Sequence, residues 1–173
     1  VGSVTMSVHC GTHTDAPFHF IGDGKTIDQC DLHAYIGRAL VVDAAGEPVI
    51  EPRHVAGLSE TPPRILFKTN TARPGEFNES FCYFSVEAAR QLCEFQPLLV
   101  GIDTPSVDHP HSKTLDAHKT FGAEGVAILE NLRLDHVAPG EYELIALPLK
   151  LVGLDGSPVR AILRPLVGSV SQE

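Results

Sequence analysis

The segment H-C-G-T-H-T-D-A-P-F-H-F, residues 9–20, constrains the fold more than any other part of the chain, because it crowds three of the nine histidines and an aspartate into eleven positions. His9, His13, Asp15 and His19 all carry odd numbers, so an extended backbone projects them to one side. A straight strand at about 3.3 Å per residue would still separate His9 from His13 by roughly 13 Å, too far for one ion with ligand bonds of about 2 Å. The backbone must therefore bend between them. Gly11 can take the positive φ or tight geometry that such a bend needs, and Pro17 fixes a second turn. The preceding run V-T-M-S-V-H-C (4–10) alternates, which predicts a half-buried strand with Val4, Met6, Val8 and Cys10 on one face. The expectation is a strand running into a metal-binding loop. That alternation, Gly11 and the two threonines argue against a helical H-x-x-x-H pair.

Imidazole and carboxylate without thiolate suit Zn²⁺, Mn²⁺ or Fe²⁺, in a site that keeps positions open to water as catalysis requires. A second constellation lies in S-K-T-L-D-A-H-K-T-F-G-A-E-G-V-A-I-L-E-N-L (112–132), where His118 falls on or just past a short helix and Glu130 ends the apolar strand V-A-I-L-E. A carboxylate ending a buried strand is costly unless it is paired or bound to a cation. Taken singly, each of these residues reads as well as a surface histidine, a turn-forming aspartate or a glutamate reaching solvent. Taken together, one carboxylate from each segment and three imidazoles suit a binuclear hydrolase centre.

Around these clusters the chain reads as a single α+β domain over 1–173, with a mixed or antiparallel sheet and a few short helices. Strands are expected at 39–43, 64–69, 81–84, 97–103, 126–130, 143–149 and 159–164, each bounded by Gly, Pro or Asp turns. Ser85 can cap a helix over V-E-A-A-R-Q-L-C-E-F, a shorter helix follows Ser112, and Pro52 begins a helical turn. With 13 Lys+Arg against 22 Asp+Glu, a net charge of −9 repels phosphate backbones and anionic lipid, so neither nucleic acid nor a membrane is an expected partner. No apolar run approaches the roughly 18–20 residues of a membrane span. Cys10, Cys30, Cys82 and Cys93 form no C-x-x-C pair and read as free thiols of a cytoplasmic protein. The only methionine, Met6, lies inside the expected first strand, so the natural start is expected upstream of Val1.

At residues 9–19 the sequence resembles the metal-dependent cyclase/kynurenine formamidase family, matching H-x-G-T-H-x-D-x-P-x-H at every fixed position. The likeness continues through G-I-D-T-P-S-V-D (101–108), S-K-T-L-D-A-H (112–118), A-I-L-E (127–130), Y-E-L-I-A-L-P-L-K (142–150) and D-G-S-P-V-R-A-I-L-R (155–164), and is greatest to the bacterial kynurenine formamidase branch. The resemblance implies a swivelling β/β/α fold, a homodimer and two Zn²⁺ per chain, with Mn²⁺ as an alternative. It implies that His9, His13 and Asp15 hold a first zinc, that Asp15 and Glu130 bridge, that His118 completes the second site, and that His19 is the acid/base residue. The implied reaction is hydrolysis of N-formyl-L-kynurenine to L-kynurenine and formate by a metal-bridged hydroxide. The nearest rival is an isatin-type lactam or cyclic-imide hydrolase of the same superfamily, and a non-catalytic metal-binding protein is the rival from another class. A cysteine hydrolase using Cys10 is disfavoured, since strand parity turns Cys10 towards buried packing. Asp103 reads as a turn or cap residue and Arg160 as half of a structural ion pair. His33, His54, His109, His111 and His136 read as surface residues.

Overall fold

Apolar runs with no polar alternation belong to strands buried on both faces, and the centre of the sheet in the computed structural model, which describes residues 1–58, 62–71 and 79–166, is built from them. Strands β4 (Arg64–Lys68), β6 (Leu99–Ile102) and β7 (Ala127–Glu130) lie parallel, and β2 (Ile36–Asp43) joins them in the same sense. On one flank β8 (Gly140–Ile145) and then β10 (Ile162–Pro165) add antiparallel to β2. On the other, β1 (His13–Asp15) inserts antiparallel between β7 and β9 (Gly156–Pro158). The sheet therefore has eight strands in the order β10-β8-β2-β4-β6-β7-β1-β9, with a separate parallel pair of β3 (Val49–Ile50) and β5 (Tyr83–Phe84).

Side-chain alternation along the central strands divides the interior into two layers. Ile65, Phe67, Val100, Ile102 and Ile128 face the helices α1 (Pro52–Val55), α2 (Val86–Cys93) and α3 (Asp116–Ala123). Leu66, Leu99 and Leu129 face the opposite layer with Tyr35, Val41 and Leu144. Gly101 sits in β6 because a Cβ there would lie 2.5 Å from Leu66 Cδ2 and 2.8 Å from Leu132 Cδ1. Ser85 caps α2 as expected, its side chain accepting from the Ala88 amide. The expected α+β class and mixed sheet are those observed.

Several local expectations differ. Residues 4–10 form no strand; Val4, Met6 and Cys10 are exposed, and a turn over 8–12 precedes β1 instead. The alternation was there without a neighbouring strand to pair with, because β1 takes up its partners β7 and β9 only from His13 onward. Burial of Cys10 rested on that strand and fails with it. The expected strand at 143–149 begins and ends earlier, at Gly140–Ile145, and of the run at 159–164 only 162–164 are in a strand, β10, while 159–161 connect it to β9. His54 is half-buried rather than a free surface residue, since its ring accepts from the Glu51 amide in a capping box. Arg160 is exposed and has no ion pair among the described residues. None of the described helices is long and apolar enough to cross a membrane.

Candidate metal centre

The bend required between His9 and His13 is present at Gly11, whose φ is +67°. It turns His9 back over β1, where its Nδ1 lies 2.8 Å from Asp15 Oδ1. A second glycine makes room for the ring: a Cβ on Gly156, the residue paired with Asp15 across β1 and β9, would stand 2.9 Å from His9 Cε1. His13 and Asp15 occupy alternate positions of β1, so both point to the helical face of the sheet, while Thr14 points to the other and bonds the Ile128 carbonyl. His13 is directly opposite Glu130 across the β1–β7 ladder, which brings His13 Nε2 to 3.3 Å from Glu130 Oε2.

The second segment arrives on α3. His118 is the third residue of this helix, and its Nε2 lies 3.1 Å from Asp15 Oδ2 and 3.3 Å from Glu130 Oε1. His13, Asp15, Glu130 and His118 are each no more than 3% exposed, so four ionisable groups share a buried space. Pro17 opens a short 3₁₀ turn, Pro17–His19, that carries His19 to the rim. Its ring centroid is 4.2 Å from that of His9 and 5.9 Å from that of His118. Phe20 packs beside His118 with ring centroids 5.4 Å apart, in space left by Gly122, where a Cβ would meet Phe20 Cε2 at 2.3 Å. The fold thus gathers all six residues singled out from the sequence.

Two carboxylates in this assembly carried no individual sequence signal. Asp108 accepts from the Ala117 and His118 amides at 2.9 and 3.1 Å and bonds His118 Nδ1 at 2.7 Å. It caps α3 from eight positions upstream, replacing a local cap at Leu115, which adopts φ +52°. Asp155 Oδ2 lies 3.2 Å from His9 Nε2 and 3.0 Å from His19 Nδ1. Asp103 makes a long-range link in place of the local turn or cap role expected of it, accepting from the Thr69 and Asn70 amides 34 and 33 positions away.

The electrostatics call for positive charge. Among the described residues no lysine or arginine pairs with Asp15, Glu130, Asp108 or Asp155; imidazoles are their only ion-pair partners. Without metal, the hydrogen bond that His9 donates to Asp15 outweighs burial and, helped by Asp155, pushes His9 up to about 9. Burial works against a charged His118, yet its bonds to Asp108, Asp15 and Glu130 raise it well above the usual imidazole value. His13 is raised in the same way, with Glu130 overcoming the cost of burial. Burial opposes ionisation of Asp15, but its bonds from His118 and His9 hold it far below the ordinary carboxylate value. Buried carboxylates that find only imidazolium partners suit a divalent cation with oxygen and nitrogen ligands.

The donor atoms fit that requirement. Ligand atoms of His13, Asp15 and Glu130 all lie within 4.8 Å of one another, and so do those of His9, Asp15 and His19. Asp15 belongs to both groups, and His118 adds a nitrogen beside Asp15 and Glu130. A purely structural role for the cluster would leave unexplained why its partly exposed members, His9 and His19, open it to the outside.

The Cyclase family model matches residues 2–109. A solved structure described as a "potential metal-dependent hydrolase with cyclase activity" is 35% identical, with a TM-score of 0.87 over 93% of this chain and 81% of its own. A "predicted metal-dependent hydrolase" from Bacillus stearothermophilus is also 35% identical, with a TM-score of 0.80 over 93% of this chain and 79% of its own. Isatin hydrolase A from Labrenzia aggregata, bound to benzyl benzoate, is 27% identical, with a TM-score of 0.77 over 92% of this chain and 74% of its own.

Proposed function

The chain belongs to the Cyclase family of metal-dependent hydrolases, and from that premise we propose that it is a kynurenine formamidase, hydrolysing N-formyl-L-kynurenine to L-kynurenine and formate. The observation that carries the reading is the closed set of His13, Asp15, His118 and Glu130, without a basic side chain, beside the half-exposed His19. His9, His13, Asp15, His118 and Glu130 are the residues that would hold two divalent ions, zinc in the first instance. Bound there, such ions would bring the ionisation of water close to neutral pH and polarise the amide carbonyl.

The chain's own groups do the rest. His19 stands at the open rim, where its free ring nitrogen can take the proton released as water adds to the carbonyl and return it to the aryl nitrogen as the C–N bond breaks; imidazole is the side chain best suited to that transfer near neutrality. The protein acts in this reading as a cytoplasmic homodimer in tryptophan breakdown. A second reading is favoured by one specific finding, the likeness to isatin hydrolase A at 27% identity. Opening of a cyclic amide needs the same ligands and differs only in the pocket that receives the ring.

The test is a continuous assay of the zinc-loaded chain on N-formyl-L-kynurenine and on isatin, each with a chelator-treated control. Chelator-sensitive release of kynurenine with isatin untouched is expected; opening of isatin alone transfers the protein to the second reading, and activity on neither removes both. Asp15→Ala is expected to lose metal, whereas His19→Ala keeps it and loses most turnover. Equal metal loss in the two variants would make His19 a ligand instead.

A further inference from the structure

One oxygen of Asp155 contacts both half-exposed histidines of the centre. Oδ2 receives His9 through Nε2 at 3.2 Å and His19 through Nδ1 at 3.0 Å. A carboxylate only accepts, so each of these ring nitrogens carries the hydrogen. The opposite nitrogen of the neutral His19 ring, Nε2, then holds the lone pair. That nitrogen has no hydrogen-bond partner among the described residues. His9 meets a second carboxylate through Nδ1, 2.8 Å from Asp15 Oδ1, so in the metal-free chain both of its nitrogens carry hydrogen, and a cation displacing the Nδ1 hydrogen would leave the ring with Nε2–H held on Asp155. We propose that Asp155 is a positioning residue that sets two tautomers at once, directing the lone pair of His9 towards the ligand cluster and that of His19 towards the substrate. The inference rests on the assignment of His9 as a ligand and of His19 as the acid/base group, and goes beyond it by naming what fixes both rings.

The backbone around Asp155 is built to hold it there. Its own carbonyl accepts from the Ala16 amide at 2.9 Å, next to Asp15, and the preceding Leu154 carbonyl accepts from the Ile27 amide at 2.9 Å. The following residue, Gly156, is in the β1–β9 ladder and leaves the space that the His9 ring fills. Carboxylates placed behind metal-bound imidazoles commonly fix the tautomer and orientation of the ring. The unusual element here is that one carboxylate oxygen serves a candidate ligand and a candidate proton carrier together, so the two rings cannot reorient independently. Asp108 performs the single-ring version of the same task at His118 Nδ1.

The experiment is long-range proton–nitrogen correlation spectroscopy on the full, zinc-loaded chain labelled with ¹⁵N-histidine, with the His19 signals assigned by their loss in His19→Gln. In the unsubstituted protein His19 is expected to carry its hydrogen on Nδ1. In Asp155→Asn, whose amide can donate to a ring nitrogen, His19 is expected to shift wholly or partly to the Nε2–H form. The same variant should bind zinc about 10-fold more weakly and lose about 10- to 100-fold in kcat with KM little changed, and Asp155→Glu should recover part of each. An Nε2–H tautomer at His19 in the unsubstituted protein, or a tautomer unchanged in Asp155→Asn, overturns the proposal. The unsubstituted spectrum decides the point even if the variant fails to fold. Should the chain hydrolyse neither amide, the activity proposed above falls, while the spectra and zinc affinities still decide the role of Asp155.

Discussion

Removing the metal should reverse the way stability depends on pH. In the metal-free chain the protons on His9, His13 and His118 stand in for the cation among Asp15, Glu130 and Asp108. The raised value of His9, about 9 against an ordinary 6.5, means that its contribution to stability is complete below pH 6.5 and is lost as pH rises through 9. Asp15, held below its ordinary 3.8, contributes fully above that value and loses its contribution only as pH falls through its low folded value. Both contributions coincide between about pH 4 and 6.5, where the metal-free chain should be most stable. At about 1.4 kcal/mol per pKa unit, His9 would by itself give about 3 kcal/mol. Its ring is 24% exposed, and solvent screening brings the figure to about 1–2 kcal/mol. For a chain of this size that corresponds to a fall of about 2–8 °C in Tm between pH 6.5 and 9. Zinc binding needs the same imidazoles neutral, so the loaded protein should hold or gain stability over that range. Thermal unfolding of chelator-treated and zinc-reloaded protein at pH 6, 7, 8 and 9 measures the difference. Metal-free His9→Gln should show a smaller fall, since the raised His13 and His118 remain, and a metal-free Tm that climbs with pH in parallel with the loaded form would refute the reasoning.

Other consequences concern the supports of the site. Asp108→Ala removes three hydrogen bonds and the remote cap of α3, and should cost about 2–3 kcal/mol in urea unfolding; a cost below about 0.5 kcal/mol would mean that α3 needs no such cap. Arg64 is 2% exposed and donates to the carbonyls of His33, Ala34 and Arg38, without a carboxylate partner among the described residues. Arg64→Lys cannot reproduce that fork, so a loss of about 2–4 kcal/mol is expected in the same assay, and a neutral substitution would contradict it. Burial pushes the Cys82 thiol up to about 12 and that of Cys93 up to about 11, whereas Cys10 is exposed. Titration with a thiol reagent at pH 8 should therefore modify Cys10 first and leave Cys82 intact until the protein unfolds; early modification of Cys82, mapped by peptide mass, would show that its pocket opens.

Signals confined to neighbouring residues were legible in the sequence. The Ser85 cap, the Pro52 start of α1 and the apolar runs of β4, β6 and β7 depend on side chains within a turn or on continuous burial, and all three are found. The segment 4–10 shows where that reasoning stops. Alternation states which residues would share a face, but a strand also needs a partner for its backbone groups, and that partner is fixed by residues more than a hundred positions away. The parallel order of β2, β4, β6 and β7 is likewise a property of the crossovers through the helices, not of any one strand.

The same division runs through the candidate site. Three histidines and an aspartate stand out at 9–19 because their density is improbable in a loop with no common task, and Glu130 stands out because a carboxylate closes an apolar strand. Asp108 and Asp155 are two among 22 acidic residues, and although both fall in segments that resemble the family, no spacing or local pattern marks either one for the site. Their roles arise from contacts spanning 10 positions to His118 and 136 positions to His19. Yet the sequence does contain the requirement that they meet. An imidazole aimed at a cation needs its far nitrogen occupied, because an unsatisfied buried N–H is costly and a freely turning ring is a poor ligand. Once a group of histidines is read as a metal centre, acceptors behind the rings are a physical necessity. In a chain where Gly156 must lie against His9 to admit the ring, the residue preceding that glycine is already close enough to supply one.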